Sequence, residues 1–102
     1  ADFLAAAKAL RAHAAPFSLQ ARDRQDSGGL RLGLTVTKKV GNAVERNRIR
    51  RRLRAAARAV LPQAGKEGFD YVVVARRAAL TADFSALTGG LENTIKQVHK
   101  TR

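Results

Sequence analysis

The sequence predicts an α+β fold, a single-domain sandwich of helices on a mixed sheet. Two segments alternate apolar and polar residues with the period of a half-buried strand, a third is a β-branched run, and three others carry apolar stripes at helical spacing. A chain of 102 residues has room for one domain, spanning 1–102, and not for two.

The elements follow in order. Residues 3–14 are Ala-rich, with Phe3, Ala7, Leu10 and Ala14 on one stripe, so a short amphipathic helix is expected, closed by Pro16. Phe17, Leu19 and Ala21 then alternate with Ser18, Gln20 and Arg22, and Leu30, Leu32, Leu34 and Val36 with Arg31, Gly33, Thr35 and Thr37. The turn-forming DRQDSGG between them predicts a hairpin, with room for an extra strand at residues 37–40. Asn42 can cap a helix whose third position is Glu45, close to a capping box, and Pro62 should end it. The run FDYVVVA, residues 69–75, lacks alternation at its three valines and reads as a central strand covered on both faces. Phe84, Leu87, Leu91, Ile95 and Val98 form a final helical stripe, with Thr81 or Asp83 near its start. Gly89 and Gly90 each cost that helix about 1 kcal/mol. Phe17, Phe69, Tyr71 and Phe84 are assigned to the core, and His13 and His99 to plain surface or hinge positions.

Composition narrows the chemistry. With no cysteine there is no disulfide, thiol nucleophile or Cys-based zinc site, and two isolated histidines make no metal centre. No run reaches the roughly 18 apolar residues of a spanning helix, and no signal-peptide layout is visible, so a cytoplasmic protein without membrane contact is expected. The eight acids are scattered, whereas a protein-only nuclease clusters carboxylates around metal ions. No catalytic residue and no tightly held metal are therefore expected on this chain.

Charge is the informative signal. The net charge is +12, and residues 38–58 hold nine basic side chains and one acid, Glu45, which is +8 of that total. A solvated helix face would interleave acids, so this window calls for a polyanion. Projected at about 100° per residue, Ile49, Leu53, Ala56 and Val60 share one side. Arg46, Asn47, Arg50, Arg51, Arg54 and Arg58 fill an arc elsewhere, with Arg48 and Arg52 on the flank. Cations in a first helical turn oppose the macrodipole, and the arrangement becomes favourable once an anion docks there. Between Arg46 and Arg58 every cation is Arg, which forks onto phosphate and stacks on bases, so nucleic acid fits better than a lipid surface.

The run LRLGLTVTKKVGNAVERNRIRRRLRAAAR, residues 30–58, closely resembles the protein component of bacterial ribonuclease P, including its Arg-Asn-Arg signature at Arg46, Asn47 and Arg48. Weaker correspondence extends over nearly the whole chain, through Asp2 and Phe3 and the strand end from Tyr71 to Arg77. The resemblance implies a ribonuclease P protein-like RNA-binding domain with a left-handed βαβ crossover, a topology shared with a domain of a small-subunit ribosomal protein. It implies an accessory subunit of the tRNA 5′-maturation endonuclease. Its partners would be the catalytic RNA and precursor tRNA, with no obligate protein partner, and catalysis with Mg2+ would reside in the RNA.

Carried over by position, the resemblance assigns Asn42, Arg46, Asn47, Arg48, Arg50, Arg51 and Arg54, with Lys38 and Lys39 beside them, to binding the RNA subunit. A cleft between the first helix and the sheet would hold the single-stranded leader, with Phe3 as an aromatic position and Gln20, Arg22, Arg31 and Thr35 supplying backbone contacts. By the general burial of aromatics, such a Phe3 is more often a core residue than a stacking platform. The chain departs from its relatives at Ala7, where many carry a second aromatic, and at Gln20, where some carry Tyr. The rival readings are a ribosomal or other structural RNA-binding protein, which would share the charge but bind ribosomal RNA, a DNA-binding protein, which would expose base-reading Asn or Gln among the arginines, and a metal-dependent nuclease.

Overall fold

The computed structural model describes residues 10–25 and 28–100. Four strands, β1 (Leu10–His13), β2 (Phe17–Asp23), β3 (Arg31–Thr35) and β4 (Phe69–Ala75), form one sheet in the order β1-β2-β4-β3. Helix α1 (Ala43–Ala64) joins β3 to β4 and α2 (Phe84–Lys100) follows β4, with 3-10 turns at Lys38–Val40 and Arg77–Leu80. β4 pairs antiparallel with β2 and parallel with β3, so the sheet is mixed and the α+β class holds. β3, α1 and β4 make the parallel βαβ unit that the family resemblance implies.

Period-two alternation sorts the sheet into two faces. Phe17, Leu19 and Ala21 of β2 and Phe69, Tyr71, Val73 and Ala75 of β4 are buried, together with Ile49, Leu53, Ala56 and Val60 of α1 and Leu87, Leu91, Ile95 and Val98 of α2. On the other face the register brings together Arg11, Gln20, Val72 and Gly33, with Arg22, Asp70 and Arg31 alongside and Ser18, Val74 and Thr35 beyond. These residues are exposed or half-buried. β4 is thus the central strand, but the described elements cover it on one face; Val72, between Gln20 and Gly33, and Val74, between Ser18 and Thr35, are half-buried there with no packed layer of described residues over them.

Several expectations are corrected by strand pairing. Residues 10–13 are a strand and not the end of a helix. Leu10 and Ala12 stand opposite Ala21 and Leu19, and the ladder with β2 takes up backbone groups that an isolated Ala-rich turn would leave to water. The remainder of that expected helix, with Phe3, lies outside the described residues. The tight turn joins β1 to β2, closed by the Ala14 N–H donating to the Phe17 carbonyl at 2.9 Å. β2 and β3 do not form a hairpin, because β4 inserts between them. Residues 38–40 form a 3-10 turn in place of an added strand.

α1 also runs past Pro62 to Ala64. Pro62 lies in the final turn, where its missing N–H forfeits one bond, and the Gly65 N–H still donates to the Leu61 carbonyl at 2.9 Å. Phe84 is 47% exposed, since it opens α2 ahead of the packed stripe. His99 is not a plain surface residue: its ring meets Phe69 edge-on at 4.7 Å and its Nε2 lies 2.7 Å from the Tyr71 hydroxyl, which accepts the Lys66 N–H. Burial pushes the Tyr71 pKa up, against the smaller opposing effect of the Lys66 bond.

Leu53, 1% exposed, is the midpoint of the α1 stripe. Leu53→Ala should lower unfolding free energy by about 2–5 kcal/mol, read as a lower denaturant midpoint with the same slope. A change under about 1 kcal/mol would mean that the core at α1 closes over the gap.

Candidate nucleic-acid interface

The N-terminus of α1 is fixed from three directions. Asn42 closes a full capping box: its Oδ1 accepts the Glu45 N–H at 2.9 Å, and Glu45 Oε1 accepts the Asn42 N–H at 3.0 Å. Arg77, which opens the 3-10 turn after β4, donates to Glu45 Oε2 at 2.9 Å and to the Val40 carbonyl at 2.8 Å, tying the helix start to the 3-10 turn at Lys38–Val40. Gly41 makes room for this clamp. Its φ is +155°, and a Cβ there would stand 2.5 Å from Glu45 Oε1 and 3.0 Å from the Arg77 guanidinium. The one acid of the cationic window is therefore spent on an internal partner.

The Arg77 hydrogen bond, then the Asn42 N–H, holds the Glu45 carboxyl below its ordinary value of 4.5, and the same contact raises the Arg77 pKa. Stability from a carboxylate with a depressed folded pKa is present above the unfolded value and lost as pH falls through the folded one. Glu45→Gln should be less stable than the parent at neutral pH, with the gap closing below about pH 4.5 in urea titrations. A gap independent of pH would remove the ion pair from the account.

Around this fixed start stand the residues assigned to the RNA subunit. Lys38 and Lys39 are exposed in the 3-10 turn, Asn42 is the cap, and Asn47, Arg48, Arg51 and Arg54 are exposed. Arg50 is half-buried and donates to Asn47 Oδ1 at 3.2 Å. Val44, 78% exposed, lines a shallow groove with Asn47, Arg50, Arg51 and Arg54. Arg46 is half-buried, and its buried Nε meets no hydrogen-bond partner among the described residues, a cost of about 1–3 kcal/mol that folding alone does not return. Arg52 differs from its neighbours: its guanidinium donates to the Ala79 and Ala82 carbonyls and fastens the segment before α2.

The leader residues share the open sheet face. Arg22 and Arg31 are exposed on either side of Asp70, which Arg24 engages at 2.6 Å; Thr35 is exposed and Gln20 half-buried. Phe3 lies outside the described residues. Val36 and Thr37 lead from this face to Lys38, so the two candidate surfaces meet at the end of β3. Sequence reasoning missed Arg76, which donates to the Ala14 carbonyl at 3.2 Å and to Ser18 Oγ at 3.0 Å, and missed the Arg77 clamp. The adjacent arginines ending an apolar strand were the available signal. Among the described residues, no group of three or more His, Asp or Glu is placed to hold a metal ion, and no helix is long and apolar enough to cross a membrane.

The ribonuclease P family model matches residues 1–99. The chain belongs to the ribonuclease P protein family. It is similar to the ribonuclease P protein component of Ruegeria pomeroyi, 46% identical over 101 residues that cover 96% of this chain and 81% of the relative. That of Gluconacetobacter diazotrophicus is 46% identical over 98 residues, covering 95% and 84%. Of solved ribonuclease P proteins, that of Thermotoga maritima superposes with a TM-score of 0.77 at 26% identity, covering 95% of this chain and 90% of the other. That of Staphylococcus aureus gives 0.72 at 28% identity, covering 94% and 87%. As a ribonuclease P protein, the chain carries its cationic helix on the mixed-sheet scaffold that this family uses.

Proposed function

We propose that this ribonuclease P protein component docks the arginine face of α1 on the catalytic RNA of ribonuclease P. The polar face of its sheet receives the single-stranded 5′ leader of precursor tRNA. The observation that carries this reading is the start of α1: a capped helix with Arg46, Arg48, Arg50, Arg51 and Arg54 around it and its single acid already paired to Arg77. In the first turn the positive end of the dipole acts on phosphate together with Arg46 and Arg48, and Arg50, Arg51 and Arg54 offer guanidinium forks to further phosphates along the helix.

In this reading the chain has no chemistry of its own. Hydrolysis and the Mg2+ that supports it belong to the RNA, in the cytoplasm, and the protein lowers the electrostatic cost of bringing two polyanions together. Purified protein should show no nuclease activity, and mixing it with the cognate RNA should raise cleavage at the tRNA 5′ end at low magnesium. Magnesium-dependent cleavage by protein rigorously freed of RNA would refute this.

A further inference from the structure

A second groove lies along α1 beyond the Arg-Asn-Arg signature. Leu30 and Leu32 line one side of it and Ala57, Leu61 and Pro62 the other, an open groove of ≈ 450 Å³. Arg54 and Arg58 stand among these apolar residues. β3 is an edge strand, so no described strand lies beyond the groove, and Leu30 is held against the end of α1 where a Cβ on Gly65 would meet its Cδ2 at 2.6 Å. Arg54 lines both this groove and the cationic groove at Val44, so the two adjoin at that residue.

We propose that this groove is a nucleotide subsite, which takes one unpaired base of the catalytic RNA against Leu30, Leu32 and Pro62 while Arg54 and Arg58 hold the flanking phosphates. The proposal rests on α1 being the RNA-binding face and extends that face past the signature. Two features select this occupant. An open apolar groove bordered by guanidinium groups matches a base with its phosphates, since the base offers a flat π-face and the backbone a charge. The shared Arg54 makes the subsite the next stop for a strand already bound at Arg50 and Arg51.

The chain lacks cysteine, so Pro62→Cys and, separately, Val44→Cys give full chains with a single photoreactive label. Both positions are exposed. On irradiation with the catalytic RNA alone, each label should cross-link to one RNA region, and the Pro62 label to an unpaired nucleotide. In salt titrations Arg58→Ala should lose about 0.7 of the slope of log K against log salt. Leu30→Asn should weaken binding about tenfold with the slope unchanged, because base contact releases no counterions.

Cross-linking from Val44 but not from Pro62, with Arg58→Ala binding like the parent, overturns the subsite and leaves the proposed function standing. Failure of both labels in a parent that does not bind the RNA overturns the proposed function itself. A Pro62 cross-link to a second copy of the chain assigns the groove to self-association and overturns the proposal. If Leu30→Asn does not fold, the Pro62 cross-link and Arg58→Ala decide.

Discussion

Affinity for the catalytic RNA should fall about a hundredfold between 50 and 200 mM salt. If Arg46, Arg48, Arg50, Arg51 and Arg54 each neutralise one phosphate, a single-strand-like slope of roughly −0.7 per contact gives about −3.5 in log K against log salt, to which a phosphate at Arg58 would add about −0.7. Arg50→Ala should flatten the slope by nearly one contact. Arg52→Ala is the informative comparison, because its guanidinium is engaged with the Ala79 and Ala82 carbonyls. It should leave the slope unchanged and lower stability by about 1–3 kcal/mol through the acceptors it abandons. Binding titrations over a salt series, with urea unfolding of the same proteins, separate the two effects. A slope near zero in the parent would remove α1 from the interface.

Selectivity for precursor over mature tRNA should reside on the sheet and be separable from α1. Arg22 and Arg31 flank Asp70 on the open face, and Arg24 already engages that acid. Arg22→Ala combined with Arg31→Ala should weaken precursor binding by the reconstituted holoenzyme on the order of tenfold. Affinities for mature tRNA and for the RNA subunit should stay near the parent values. Contacts here are expected to follow the backbone, so affinity should rise as the leader lengthens by a few nucleotides, then level off with little sequence preference. A double variant that remains folded and loses RNA-subunit affinity in the same proportion would place these arginines at the other interface.

α1 and its chemistry were legible in the sequence because both are local. Asn42 and Glu45 are three residues apart, the stripe from Ile49 to Val60 has the helical period, and the arginine arc follows from the same rotation. Strand partnership was not legible, because it is decided by segments far apart in the chain. β2 and β3 look like a hairpin from residues 17–36 alone, and only the valines of β4, more than thirty residues later, claim the place between them. The Ala-rich segment before Pro16 suits either period, and the edge of β2 settles it for residues 10–13. His99 carries no local sign of its role, since Tyr71 and Phe69 reach it from another element. The polar strip survived the wrong pairing because Gln20, Arg22, Arg31 and Thr35 keep the same alternation on either side of β4.

The length of α1 has a consequence for how recognition is organised. Its 22 residues rise about 33 Å, close to the 37 Å longest extent of the molecule. The row Arg50, Arg54 and Arg58 is therefore graduated at intervals of about 6 Å by the backbone itself. Such a ruler is set when the protein folds, so the ordering cost is met before the RNA arrives and the RNA must fit its spacing. One alanine inserted after Ala55 would preserve the charge, yet it would turn Arg58 about 100° out of the row, leaving the same number of cations with the measure lost.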